Sequence, residues 1–244
     1  MKHISILFFL CICFSLTTNL FAQVDTALIG GNWNDPLIWS NGIPDENTDV
    51  VIIGGPTLTN TVTIPAGDVG RCRNIQVNGA TGTRVLTEAN AKLEIYGTVG
   101  SDTVGHSLLI IDNTKGTNSF TVFKRQTSGP LYGAKWDGAR PAYIRVIIDV
   151  PQNVTVWADT TFKSLRLTVT SGIFDLKNHD IRLDSTNSNS LKGHLYIGAG
   201  TTVKNVRAIY KFGTLSTQCS TVTVAGTLEI DSTIAVSAFK LIVK

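Results

Sequence analysis

Short alternations of apolar and polar residues recur along this chain, separated by residues that turn a backbone cheaply. They fall at 49–53, 61–64, 74–77, 92–96 and 107–111, and again at 143–150, 154–158, 164–170, 173–176, 181–183, 194–197, 222–224, 227–230 and 239–243. Period-2 alternation and β-branched runs of this length predict strands. Gly54-Gly55-Pro56, Pro65-Ala66-Gly67, Asn78-Gly79 and Gly97 punctuate the first group. Glycine reaches turn conformations without steric cost, and proline and asparagine favour them. Apolar residues spaced i, i+3, i+4, i+7 are missing after the first 22 residues, so the pattern predicts an all-β fold.

A loose phrase repeats within that pattern. Ala91-Lys92-Leu93-Glu94-Ile95, Gly172-Ile173-Phe174-Asp175-Leu176, Gly193-His194-Leu195-Tyr196-Ile197 and Gly226-Thr227-Leu228-Glu229-Ile230 each place a small residue before an apolar, polar, apolar strand. Gly172 and Gly193 are 21 residues apart and Gly193 and Gly226 are 33 apart, an irregular period within the range of stacked β coils. Few two-residue hairpin signals accompany the strands, which favours a parallel β-solenoid over a meander. Asn78-Gly79 and Gly54-Gly55 are hairpin-like exceptions, and they keep a β-sandwich as the alternative.

The rhythm breaks at about 115–143, where Gly129-Pro130, Gly133, Gly138 and Pro141 interrupt a stretch rich in bases and aromatics. Lys124, Arg125, Lys135 and Arg140 lie there beside Phe123, Tyr132 and Trp136. This reads as a loop inserted into one coil, and insertions on one face of a repeat array commonly carry its binding surface. Tyr132 and Trp136 are the expected stacking surfaces for a sugar ring, with Lys135, Asp137 and Arg140 as polar or charged contacts.

The first residues change the picture of where this domain works. Lys2, an apolar run from Ile4 to Leu16 and Ala22 match a secretory signal peptide, so 1–22 is set apart from the fold. No later stretch is apolar enough to span a bilayer. Removing Lys2 with the leader leaves 20 basic residues against 18 acidic ones, a net charge of about +2. That balance argues against a nucleic-acid footprint. Cys11 and Cys13 go with the leader, leaving Cys72 and Cys219. An exported setting favours a bridge between them. A solenoid separates them by several coils, and bridging needs Cα atoms within about 7 Å, so two separate buried thiols are the favoured reading.

The segment GNWNDPLIWSNGIPDENTDVVI resembles the entry segment of extracellular β-helical proteins, especially the domain family named for its eight glycines and related surface proteins of Gram-negative bacteria. Gly31, Trp33, Pro36, Trp39, Gly42, Pro44 and Asp49 fill the pattern, and Arg73-Asn74-Ile75-Gln76-Val77 resembles a first-coil strand of such proteins. The likeness covers about residues 30 to 100. It implies a right-handed parallel β-helix, export, and a role at the cell surface or on polysaccharide, and it carries over no catalytic residue. Within it, Trp33, Pro36, Trp39, Pro44 and Asp49 are expected to form a cap over the open end of the first coil. Such an end would otherwise expose apolar surface and unpaired strand groups.

The expected organisation is thus a signal peptide at 1–22, a cap segment at 23–48, and a solenoid at 49–244 with a loop at about 115–143. The chain ends on an apolar strand at 238–243 without a polar cap. That ending predicts downstream domains or self-association through the C-terminal edge. No motif names a reaction: His106, His179 and His194 lack metal-ligand spacing, and no cofactor or metal is expected. Asp175, Asp180 and Asp184 are the acids nearest to a glycosidase pair, although acids around turns are more often turn formers. The expectation is a secreted or outer-surface module for adhesion or glycan binding, with polysaccharide or cell-surface glycan as partner. The alternative is a β-helix carbohydrate-active enzyme, a polysaccharide lyase or glycoside hydrolase.

Overall fold

The computed structural model describes residues 23–54, 60–78, 83–101, 111–112, 118–132, 145–183, 193–210, 220–230 and 239–244. The chain winds through successive coils, each laying one short strand on each face. The first coil contributes β1 (Val24–Ala27) and β2 (Gly31–Asn32), and the second β3 (Asp49–Ile53), β4 (Thr61–Ile64) and β5 (Val69–Cys72). The third holds β6 (Ile75–Asn78), β7 (Arg84–Thr87) and β8 (Lys92–Ile95), and the fourth β9 (Val99–Ser101), β10 (Ile111–Asp112) and β11 (Phe120–Phe123). Next come β12 (Gly129–Pro130) with β13 (Arg145–Asp149), then β14 (Thr155–Trp157), β15 (Phe162–Lys163) and β16 (Arg166–Ser171). The last coils pair β17 (Ile173–Arg182) with β18 (His194–Ile197), β19 (Thr202–Tyr210) with β20 (Ser220–Val224), and β21 (Thr227–Ile230) with β22 (Phe239–Val243).

Strands of successive coils pair in parallel register. One face carries β1-β3-β6-β9, a second β2-β4-β7-β10, and a third the eight-stranded stack from β5 to β22; β12-β14-β17-β19-β21 continues the structure beyond the fourth coil. A β-sandwich is built from antiparallel pairs, whereas every strand pair among the described residues is parallel. The fold is therefore a β-solenoid. Along the eight-stranded stack, the step between paired residues runs from 19 (Ser220 with Phe239) to 28 (Lys92 with Phe120). This variation is why the repeat phrase has no fixed period in sequence.

Two faces merge in the later coils. Ile173 to Asp175 of β17 pair with β14, and Ile181 and Arg182 of the same strand pair with β15. Between them Lys177 and Asn178 adopt φ of 48° and 63°, and Asn205 takes φ 52° in the following rung. Asparagine tolerates this left-handed region better than most residues. The corner is thereby turned without breaking the strand, and the two strands expected at 173–176 and 181–183 are one.

The pleat sends alternate residues inward, and stacking aligns them in columns. Cys72, Ile95, Phe123, Ile148, Val169, Ile197 and Val224 form one inward column; Leu93, Val146, Leu167, Leu195 and Val222 belong to its neighbour. All are buried. At about 1.5 to 3 kcal/mol per fully buried aliphatic or aromatic side chain, this core is the main term holding the coils together.

The first coil closes that core at one end. Asp35 accepts a hydrogen bond from the Leu37 N–H at 2.9 Å and caps a 3-10 turn that begins at Pro36, whose fixed φ suits a first helical position. The turn brings Trp39 back onto Trp33. Their rings meet edge to face with centroids 5.0 Å apart, and the Trp39 indole N–H donates to the Trp33 carbonyl at 2.7 Å. Trp33, Trp39 and Pro44 are all buried. Asp49, at the start of β3, accepts from the Arg73 guanidinium and from the Asn74 amide at 2.8 Å. The Asn74 oxygen in turn accepts from the Thr98 N–H at 2.7 Å, so one polar ladder ties three rungs at this corner.

The loop expected at about 115–143 begins later than its composition suggests. Phe120–Phe123 pairs with both β8 and β13 and is a full rung of the eight-stranded stack. Gly129–Pro130 pairs with β14. Proline can do so because this short strand lies at the border of its sheet. Residues 133–144 lie outside the described residues. Among the described residues, no helix is long and apolar enough to cross a membrane.

Candidate functional site

Inward columns hold the fold, so any chemistry must come from the outward ones. On the eight-stranded stack, one outward column runs Lys92, Phe120, Arg145, Arg166, His194, Thr221, and the next runs Arg71, Glu94, Val122, Ile147, Thr168, Tyr196, Thr223. The two ends of this face differ.

Toward the cap the face is a closed ionic network. Glu94 accepts from Arg71 Nε at 3.1 Å and Tyr96 Oη at 3.3 Å and pairs with Lys124 Nζ at 3.2 Å; Lys124 also lies 4.0 Å from Asp149. Burial alone would raise the Glu94 pKa, but the Lys124 and Arg71 charges outweigh it and hold the carboxyl below its ordinary range. The group stays ionised and committed to its neighbours across three rungs.

Farther along, the face opens into a groove of about 510 Å³ lined by Arg166, Thr168, His194, Leu195, Tyr196 and Thr223. Arg166 and His194 are direct neighbours across two rungs, as are Thr168 and Tyr196. Tyr196 keeps 39% of its surface exposed, an unusual amount for a large aromatic on a rigid sheet. The Arg166 guanidinium carbon sits 5.5 Å from the centre of the Phe120 ring, a cation–π contact. Arg145, one rung before Arg166, is half-buried, and that burial, followed by the charge of Arg166, lowers its pKa. Among the described residues, none that lines the groove is Asp or Glu. Strand-borne side chains are held more firmly than loop-borne ones, so the groove is a fixed array of donors, hydroxyls and one aromatic face.

Lys135, Trp136, Asp137 and Arg140 lie outside the described residues. Tyr132 is packed on the core, its ring stacked on Phe162 at 6.0 Å between centroids, and burial pushes its hydroxyl pKa up. Phe123 is buried, Lys124 belongs to the Glu94 network, and Arg125 turns back on its own loop to donate to the Pro130 carbonyl at 2.7 Å. The described half of the expected loop is thus integrated into the solenoid.

Of the three acids weighed for glycoside hydrolysis, Asp175 and Asp180 are engaged. Asp175 accepts from the Lys177 N–H at 2.8 Å and the Asn205 amide at 2.9 Å. Burial would raise its pKa, yet these bonds prevail and lower it, the wrong direction for a general acid. Asp180 takes a two-pronged contact from Arg207 at 2.8 and 2.7 Å, and Asp184 lies outside the described residues. Cys72 is a free, fully buried thiol whose pKa burial pushes up, so it is not a nucleophile. Among the described residues no three His, Cys, Asp or Glu cluster to hold a metal.

Sequence held one clue to the groove. His194 and Tyr196 are the polar positions of a repeated phrase, but that phrase was informative only about the fold. Their partners Arg166, Thr168 and Thr223 could not be assigned without the register. Comparison with known proteins gives no matching family model, no matching curated protein and no matching solved structure.

Proposed function

We propose that this chain is a non-enzymatic, secreted or cell-surface β-solenoid module that binds glycan through the outer face of its eight-stranded stack. The observation that carries the reading is the groove of Arg166, Thr168, His194, Tyr196 and Thr223. Sugars are bound by rigid arrays of hydroxyls and charged donors around an exposed aromatic ring, since the ring covers apolar C–H faces while the donors replace water at the hydroxyls. The groove has each of these parts. Its lining residues come from three successive rungs of the stack. The export signal read at 1–22 supports a surface role, as does the resemblance of the entry segment to surface β-helices.

Chemistry at this groove is disfavoured. Glycoside hydrolysis uses two carboxylates across a cleft, and the described residues lining the groove supply neither. A glycan panel probed with the intact chain and with Tyr196→Ala tests the proposal. Loss of the ring should weaken binding about tenfold, roughly 1.4 kcal/mol. Equal binding by Tyr196→Ala would move the site off this face.

A further inference from the structure

The Asn-Gly sequence occurs twice in this chain, at Asn41-Gly42 and Asn78-Gly79. Asparagine is among the thermolabile residues, and a following glycine removes the steric obstacle to attack by its backbone nitrogen on the side-chain amide. The two pairs stand in different surroundings. Asn78 ends β6, is paired in register with Ile53, and its carbonyl accepts from the Gly54 N–H at 2.8 Å. Asn41 is exposed at a bend outside every strand. Gly42 takes φ of 98°, a Cβ placed on it would meet nothing within 4 Å, and among the described residues no group accepts from its N–H. The attacking nitrogen is open at Asn41, whereas Asn78 is held in a ladder.

Asn41 also latches the cap. Strand β1 is the border strand of its sheet, and the chain from Trp39 to Asn41 runs along its outer side. The Ser40 N–H donates to the Thr26 carbonyl at 3.1 Å, and the Thr26 N–H donates to Ser40 Oγ at 3.0 Å. Asn41 Nδ2 donates to the Val24 carbonyl at 2.9 Å and to Ser40 Oγ at 3.2 Å, while the Asn41 N–H donates to Asp25 Oδ1 at 3.0 Å. An edge that would otherwise offer unpaired strand groups to other chains is thereby closed.

We propose that Asn41 deamidates spontaneously in the folded protein and that its conversion unlatches the cap segment from β1. The Gly42 nitrogen gives up its proton to solvent base and bonds to Asn41 Cγ, and the Cγ–Nδ2 bond breaks with release of ammonia. Water then opens the cyclic imide. Opening at Cγ leaves aspartate at 41; opening at the main-chain carbonyl leaves an isoaspartyl link, in which the backbone runs through the former side chain. Water is consumed, ammonia is released and nothing is oxidised. Either product exchanges the Nδ2 donor for a carboxylate. The Val24 carbonyl is left without its donor, which costs stability, and no Lys or Arg occurs from 23 to 70 to neutralise the added charge within that stretch.

The test holds the intact chain at mildly alkaline pH and physiological temperature, natively and in denaturant. Peptides containing 41 and 78 are followed by mass spectrometry and by isoaspartyl methyltransferase labelling. In the folded chain Asn41 should convert severalfold faster than Asn78, at a rate that rises with pH because the deprotonated nitrogen attacks. In denaturant the two rates should converge, since both asparagines precede glycine. Fresh Asn41→Asp should melt at least about 2 °C below the fresh parent, the shift expected for one lost hydrogen bond. The aged parent should fall toward that value, and aged Asn41→Gln should keep its own starting value. A folded chain whose Asn41 stays intact while the denatured chain converts overturns the site, as do equal native rates at 41 and 78. Conversion at 41 with no loss of melting temperature overturns the unlatching.

Discussion

Gly70 stands directly beneath the Trp33 indole: a Cβ at Gly70 would come within 3.0 Å of the ring and 2.7 Å of the Ile64 methyl. In later coils the same inward column carries Leu93, Val146, Leu167 and Leu195, so Gly70 exchanges a side chain of its own for the cap's largest one. Trp33→Ala would leave that space empty and should destabilise by about 3 to 5 kcal/mol. Gly70→Ala should cost about 1 to 3 kcal/mol by overpacking. Thermal or denaturant unfolding of the two variants checks this. Parental stability in Trp33→Ala would mean that the ring is not a plug for the core.

The corner ladder of Asp49, Asn74 and Thr98 has its own steric requirement. At Gly97 a Cβ would lie 2.1 Å from Asn74 Oδ1 and 2.7 Å from the Arg73 carbonyl, whereas at Gly100 it would meet nothing within 4 Å. Gly97→Ala must therefore push Asn74 out of its bonds to Asp49 and Thr98. Its cost should reach at least the upper end of the ~1 to 3 kcal/mol typical of overpacking. Gly100→Ala, two residues away from Thr98, should unfold like the parent. A reversed order of the two variants would contradict the ladder.

Glu94 should leave a mark on the acid limb of stability. Its folded pKa lies below the ordinary value of 4.5. The unfolded chain therefore takes up the proton first as pH falls. The network's contribution is fully present above about pH 4.5 and is lost as pH drops through the lower, folded pKa. Melting temperatures between pH 6 and 3 should fall more steeply for the parent than for Glu94→Gln. Parallel curves would show that Lys124 and Arg71 do not hold the charge.

The strands that sequence made legible are those whose alternation is unbroken, such as His194–Ile197 and Thr227–Ile230. Those it missed carry a reason. Val69–Cys72 has a glycine at an inward position because Trp33 fills the space above it. Phe120–Phe123 sits amid bases and turn residues whose composition resembles a loop. Thr202–Tyr210 hides a left-handed Asn205 in mid-strand, which breaks the period where the chain turns a corner. The groove was illegible for a different cause. It is assembled from one residue pair per coil, and coils of unequal length conceal which residues share a column. Arg166 and His194 are 28 positions apart in sequence and adjacent in register.

Cys72 gives a direct probe of how tightly these coils are closed. Its thiol is fully buried in the inward column between Trp-capped and central coils, and burial raises its pKa well above the free-thiol range. Thiol reagents attack the thiolate, so both access and ionisation protect it. Strand β20, which follows Cys219 in sequence, lies six rungs from β5 in the stack, about 29 Å at ~4.8 Å per rung. That separation is far beyond disulfide reach. In a Cys219→Ser variant, Cys72 should therefore resist an aromatic disulfide reagent at neutral pH and react fully once denaturant unfolds the chain. The rate below the unfolding midpoint should follow the population of open molecules, and Trp33→Ala should speed it by loosening the cap above β5. Rapid labelling of the native variant would show that the first coils are open, and with them the column that ends at Cys72.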